Sequence, residues 1–304
     1  MKKNRRIWLV LFVALAILAL ALTGCKKEAE LGTEENPIVM AVVPSGETEE
    51  VVSGFEQIAD FVYEDTGLVI EPFVATEYAG VIEAMCSDPA EAQIASLATF
   101  SYIIAHERGC ADVALVSVRY GSPTYDGQII VNVDSGIESV EDLAGKTFCR
   151  PDPTSTSGWV VPSILMRSVG VNPDTDLAEV VDAGGHPGVA TAVYTGDCDA
   201  GATYVDARTS IEEEYPDVLD KVMVLEVSDP IPNDGVQFNP DFPAEMRDQI
   251  VASLIKMSET EEGQEALQTA YSWNALEPHD DTFYDPFRQV LEAAGVDPAE
   301  YAPE

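Results

Sequence analysis

The segment Asp152-Pro153-Thr154-Ser155-Thr156-Ser157-Gly158-Trp159 concentrates hydrogen-bonding chemistry. It follows the strand-like run Thr147 to Cys149 and precedes the apolar stretch Val160 to Ser168, so it reads as a strand-to-helix turn. Ser or Thr at a helix start satisfies unpaired backbone N–H groups, and those N–H groups together with the hydroxyls form an anion cradle. Three consecutive hydroxyls, Ser155, Thr156 and Ser157, exceed what one cap uses. Gly158 is expected to keep the turn open for a tetrahedral oxyanion, and Pro162 to cost the new helix a hydrogen bond or to kink it. An ordinary cap in a Ser/Thr-rich loop is the competing explanation.

Other chemistries lack their residues. Gly145-Lys146-Thr147 has the ending of a P-loop, but valine stands at position 140, where that motif needs glycine. There is no G-x-S-x-G, no H-E-x-x-H, and no G-x-G-x-x-G after a strand, so neither catalysis nor a cofactor is expected. A hydrolase would have to use Ser157 or Ser155 with His186 as base. With three histidines and no C-x-x-C, no metal site is expected. The 304 residues carry 16 Lys+Arg against 54 Asp+Glu, a formal charge of −38, which excludes a reader of the nucleic-acid backbone. The 46% apolar fraction is that of a folded chain and not of an acidic disordered tail.

The elements that position the hydroxyls follow from periodicity. Ile38 to Val43, Leu68 to Val74, Gln93 to Leu97, Val113 to Val118, Gln128 to Val133, Thr147 to Cys149, Ala178 to Val181, Gly201 to Tyr204 and Val222 to Val227 read as strands. Helical patterns separate most of them: Glu47 to Thr66 places Val51, Phe55, Ile58 and Val62 on one face, and Tyr78 to Cys86 turns Val81, Ile82 and Met85 inward. After Asn239 the chain is helical, with a core stripe of Met246, Ile250, Leu254 and Met257, then Glu261 to Thr269 and Pro286 to Ala294. This alternation implies α/β architecture with mostly parallel sheets, and the length accommodates two domains or lobes.

Several segments occur together in one order: Asp142 to Phe148; Asp152-Pro153 with Ser155 to Gly158; Gly185-His186 with Val189-Ala190; Asp199 to Tyr204 with Asp206; and Ser228 with Pro230 to Asp234. Upstream are Val43-Pro44-Ser45, Tyr78 to Met85 and Ser101-Tyr102. From about Ile38 to about Met257 the chain thereby resembles the phosphate/phosphite/phosphonate-binding proteins of ABC importers. The resemblance implies a two-lobed periplasmic-binding-protein-like (type II) fold with two hinge crossings. Lobe one would be residues 37–121 plus 228–304, and lobe two residues 122–227. It implies a ligand set of Ser155, Thr156, Ser157, His186 and Asp206 from one side, with Tyr78, Tyr102 and, less closely matched, Tyr125 as tyrosines. Hydroxyls, phenols and imidazole would donate to phosphoryl oxygens, while Asp206 would accept from a protonated oxygen or a ligand ammonium. The family has Gly-Pro before the Ser-Tyr pair where this chain has Leu97-Ala98-Thr99-Phe100. The implied protein is a monomer that delivers a small phosphorus oxyanion to an ABC permease; the alternative is a ligand-sensing binding protein for a membrane receptor.

The first residues set the compartment. Lys2, Lys3, Arg5 and Arg6 precede the apolar run Ile7 to Leu22, and Leu22-Thr23-Gly24-Cys25 is similar to a bacterial lipobox. We expect residues 1–24 to be a lipoprotein signal peptide, Cys25 to be lipidated, residues 25–36 to be a tether, and the protein to be extracytoplasmic and membrane-anchored through its lipid. An uncleaved anchor is the alternative. The leader holds four basic residues and no acidic one, so its removal makes the chain still more acidic. That field repels anions, but it is screened within about 8 Å at physiological ionic strength, leaving capture to local donors. Cys86, Cys110, Cys149 and Cys198 are even in number, which in an exported chain suits two disulfides with three connectivities open. Cys86 with Cys110 and Cys149 with Cys198 are favoured because each pair falls inside one expected lobe.

Overall fold

A computed structural model describes residues 29–303. The expected leader and Cys25 lie outside the described residues. Among the described residues, no helix is long and apolar enough to cross a membrane.

The chain begins as a β/α alternation: β1 (Ile38–Val42), α1 (Thr48–Thr66), β2 (Ile70–Val74), α2 (Tyr78–Cys86), β3 (Ile94–Ser96), α3 (Thr99–Glu107) and β4 (Asp112–Val118). A short crossing strand, β5 (Thr124–Tyr125), leads into β6 (Gly127–Asn132), β7 (Thr147–Arg150), α4 (Val161–Ser168), β8 (Glu179–Asp182), α5 (His186–Thr195), β9 (Ala200–Tyr204), α6 (Val218–Lys221) and β10 (Val222–Val227). The return strand β11 (Ile231–Pro232) is followed by β12 (Gly235–Phe238), α7 (Ala244–Ser258), α8 (Glu261–Tyr271), β13 (Ala275–Pro278) and α9 (Asp285–Ala294).

These strands form a six-stranded sheet in the order β13-β4-β12-β3-β1-β2 and a five-stranded sheet in the order β10-β6-β9-β7-β8. Each is the centre of one lobe, and β5 pairs antiparallel with β11 where the chain crosses between them. The sheets are mixed, where the alternation predicts mostly parallel ones. Only β1 with β2 and β3, and β7 with β8 and β9, run parallel. Strands entering from or returning to a crossing, such as β12 between β3 and β4 and β6 between β9 and β10, pair antiparallel.

The core follows the pleat. Ile129 and Val131 face the group of Phe148, Trp159 and Met166, whereas Ile130 and Cys149 face Val189 and Val193 on the other side of the same sheet. In the first lobe Val51, Phe55, Ile58 and Val62 line the buried stripe of α1. Gly54 lets α1 touch α8, since a Cβ there would lie 2.4 Å from the Ala270 nitrogen. The helix α3 has no stripe to read: every residue from Thr99 to Ala105 is buried.

One expectation changes locally, and the favoured cysteine pairing is met. The residues expected to be a free tether are partly docked: Leu31 packs on the first core, Gly32 N–H donates to Asn36 O at 2.8 Å, and Val69 N–H donates to Gly32 O at 2.9 Å. Disulfides join Cys86 to Cys110 and Cys149 to Cys198, with Cα–Cα distances of 5.0 and 5.9 Å.

Candidate functional site

In open α/β sheets ligands bind beyond the carboxyl ends of the strands. Here the carboxyl ends of β2, β3, β7 and β8 lead directly into the starts of α2, α3, the turn Thr156–Val160 and α5, and these helix starts meet between the lobes. At a helix start the first N–H groups have no partner within the helix itself, and the dipole is positive there.

The lobes touch through these starts. Tyr78 N–H donates to Asp152 Oδ2 at 3.1 Å, Phe100 N–H to Thr156 Oγ1 at 2.9 Å, and His186 N–H to Ser45 O at 3.2 Å. The Ser101 hydroxyl lies 3.2 Å from Thr154 Oγ1, and Val160, Val161 and Ile164 pack on the first lobe's core. Asp152, itself buried, also accepts from Thr154 N–H and its hydroxyl at 2.7 and 2.9 Å.

Ser155, Thr156 and Ser157 are at most 2% exposed. One hydroxyl acts as the cap: Ser155 Oγ accepts from Gly158 N–H at 3.3 Å. Thr156 Oγ1 accepts across the cleft, so the cluster is more than a cap. Gly158 has a different role from the one expected. A Cβ there would sit 2.2 Å from Pro151 Cδ, so glycine admits the neighbouring proline and not a ligand. Pro162 is the second residue of α4 and directly follows the wider helical turn Thr156–Val160, in which Val160 and Val161 N–H donate five residues back to Ser155 O and Thr156 O.

Arg119, which the sequence reading does not single out, stands at the centre. It follows β4, pairs with Asp234 at 3.1 Å, and lies 5.7 Å from the Tyr125 ring centroid and 5.6 Å from that of Tyr204. Asp234 also accepts from the Ser117 hydroxyl at 2.9 Å and Trp273 Nε1 at 3.3 Å. His186 packs against Tyr204 with ring centroids 4.7 Å apart and the planes tilted by 59°. Two buried nitrogens of this group have no partner, Arg119 Nε and His186 Nδ1.

The electrostatics follow from burial. Burial, reinforced by the nearby Arg119 charge, pushes His186 down to about 3, so the imidazole is neutral and offers one N–H and one lone pair. Burial opposes the Arg119 charge, but Asp234 holds it firmly cationic. Burial pushes the Tyr125 phenol up to about 12 against the pull of the Ser157 hydroxyl. Burial and then Asp152 keep Tyr78 well above the ordinary range, against the Ser155 hydroxyl. Both phenols therefore remain donors.

The structure thus brings Ser155, Thr156, Ser157, Tyr78, Tyr125 and His186 to one cleft. Tyr102 is not there. Its ring is sandwiched near Tyr284 and His106, and its hydroxyl donates to Asp281 at 2.8 Å, so it belongs to the first lobe's interior. Its neighbours Phe100 and Ser101, the two residues before it, make the cleft contacts instead. Asp206 is exposed, with φ 72°, and makes no side-chain cap bond. It lines an outer cavity of about 200 Å³ with Arg119, Tyr125, Asp126 and Tyr204. Among the described residues, neither Ser155 nor Ser157 hydrogen-bonds to His186, as a nucleophile–base pair would. A larger groove of about 650 Å³ lies elsewhere, beside the Cys86–Cys110 disulfide, and is open and unrelated to the helix starts.

Fold and cleft define a two-lobed α/β protein of the periplasmic-binding-protein-like class, with hydroxyls and helix N-termini converging between the lobes. A family profile described as "ABC transporter, phosphonate, periplasmic substrate-binding protein" matches residues 40–284, and the chain belongs to that family. It is 30% identical over 201 residues to the phosphate-import protein PhnD of Mycolicibacterium smegmatis, spanning 62% of each chain. It is 28% identical over 229 residues to the phosphonates-binding periplasmic protein of Escherichia coli, covering 74% of this chain and 67% of that one. Among solved structures it is similar to a binding protein component of an ABC phosphonate transporter from Pseudomonas aeruginosa. That match has TM-score 0.78 and 24% identity, and covers 85% of this chain and 87% of that chain. PhnD1 of Prochlorococcus marinus, solved with methylphosphonate, matches with TM-score 0.75 at 11% identity, covering 85% of this chain and 98% of that one.

Proposed function

We propose that this chain captures a phosphonate, phosphite or phosphate between its lobes and delivers it to the permease of an ABC importer. The observation that carries the reading is the buried Ser155-Thr156-Ser157 cluster at converging helix starts, faced by the phenols of Tyr78 and Tyr125 and by a neutral His186. Donors of this kind match phosphoryl oxygens. The membership in the phosphonate-binding family supports it. Transport requires no covalent step: ligand bridges the lobes, favours the closed state, and the permease recognises that state.

The lobes of this cycle are residues 37–121 plus 228–304 and residues 122–227, rotating about the paired crossings. Both disulfides are then internal to a lobe and leave closure free. The N-terminal residues support an extracytoplasmic protein held at the membrane by lipid on Cys25. Substituting Cys25 with serine should release the expressed protein from the membrane fraction; retention there would overturn the lipid anchor.

Thermal unfolding of the chain from Lys26 onward, recorded with phosphate, phosphite, methylphosphonate and sulfate at matched ionic strength, tests the ligand class. Ligand at 100 times its Kd adds about 2.7 kcal/mol of stability. A shift with a phosphorus oxyanion and none with sulfate is expected. No shift with any phosphorus oxyanion would overturn the reading.

A further inference from the structure

The buried charges of the cleft are few, and each carboxylate among them is committed. Asp152 accepts from Tyr78 N–H and from the N–H and hydroxyl of Thr154. Asp234 accepts from Arg119, Ser117 and Trp273. The remaining carboxylates near the cleft share its two outer cavities with Arg119. Asp126 and Asp206 line the outer cavity, and Glu47 and Glu50 line a second cavity of about 80 Å³; Arg119 and Tyr204 wall both.

Arg119 is therefore a buried cation beside the cradle: of the two rings at 5.7 and 5.6 Å from its guanidinium, Tyr125 reaches the Ser157 hydroxyl and Tyr204 packs at a tilt against His186. A substituent growing from phosphorus toward the acidic cavities meets a cation that Asp234 holds in place. An ammonium there faces like charge, has no free buried carboxylate to accept its protons, and must shed its hydration.

We propose that the Arg119–Asp234 pair makes this cleft selective for phosphorus oxyanions without an ammonium group: phosphate, phosphite or short alkylphosphonates rather than aminoalkylphosphonates. The inference rests on the phosphorus-oxyanion reading and names the substrate class within it. Arg119 Nε, buried and unpartnered, is the donor left for the ligand side.

Isothermal titration of the chain from Lys26 onward with methylphosphonate, propylphosphonate and 2-aminoethylphosphonate tests it. Propylphosphonate matches the aminoethyl compound in length and lacks its charge, so the pair separates charge from size. The expected result is propylphosphonate binding at least 100-fold tighter than 2-aminoethylphosphonate, with Arg119→Met reducing that ratio at least tenfold as Asp234 is freed. Equal affinities in the unsubstituted protein would overturn the selectivity while leaving the oxyanion reading intact. Exclusion of both longer ligands with methylphosphonate bound would assign the selection to size and overturn the role of the charge. Binding of none of the three, nor of phosphate or phosphite, would overturn both. The comparison in the unsubstituted protein decides even where the Arg119 variant fails to fold.

Discussion

Removing Asp234 gives the sharpest energetic test of the cleft. Its carboxylate holds Arg119 through contacts of 3.1 and 3.3 Å and accepts further bonds from Ser117 and Trp273, with the two ionic side chains only 11% and 13% exposed. Deleting one member of a buried pair leaves the other charge uncompensated and costs about 3–5 kcal/mol. Asp234→Ala should lose that much stability in urea denaturation. Arg119→Met should cost less, because Asp234 keeps its two neutral donors. The double variant orphans the same Ser117 hydroxyl and Trp273 N–H as Asp234→Ala but leaves no uncompensated charge. It should therefore be more stable than Asp234→Ala alone, a coupling of about 2 kcal/mol or more. Costs that add to within about 0.5 kcal/mol would refute the claim that the two charges stabilise one another.

Three further outcomes follow from named groups. His186 is held at about 3 when folded against 6.5 when unfolded, so the unfolded chain binds the extra proton and stability falls as pH drops below 6.5. At pH 4.5 the loss reaches about 2–3 kcal/mol, and His186→Gln should lose that much less than the unsubstituted protein between pH 7.5 and 4.5 in parallel denaturation curves. Replacing Cys149 and Cys198 together by alanine opens a crosslink spanning 49 residues and should cost about 2–5 kcal/mol, read as a lower urea midpoint. Ser157→Ala should weaken binding of the phosphorus oxyanion roughly 10- to 100-fold by titration calorimetry, the loss of one hydrogen bond to a charged group.

The elements with a clean period were legible in the residues. The helix Tyr78–Cys86 falls where the pattern puts it, because it buries the regular face of Tyr78, Val81, Ile82 and Met85, and the strand Val222–Val227 falls where its β-branched run puts it, although Val222 alone of its residues is buried. The helix Thr99–Glu107 was not legible as one, since a segment buried on all sides has no amphipathic stripe. The crossing strands, two residues each, are too short for any period, and β12 and β13, four residues each, are hardly longer. Their unrecognised antiparallel pairings are why alternation overstated parallel character. At the site, the Ser155–Ser157 hydroxyls were visible as a surplus over capping. Arg119 was not, as it lies in no motif. Its one sequence signal is a basic residue directly after the apolar run Val113 to Val118 in a chain where acids outnumber bases more than threefold. Tyr102 was misplaced because sequence order cannot show which side of a helix start a phenol occupies, and Asp281, its partner, lies 179 residues away.

The most direct test of the account is a crystal structure with methylphosphonate, in which anomalous scattering locates phosphorus. Phosphorus is expected in the cleft, with its oxygens within hydrogen-bonding distance of the Ser155–Ser157 segment and His186 and with Arg119 still paired to Asp234. Phosphorus in the open groove beside Cys86 and Arg108, with the hydroxyl cluster making no contact to it, would contradict it.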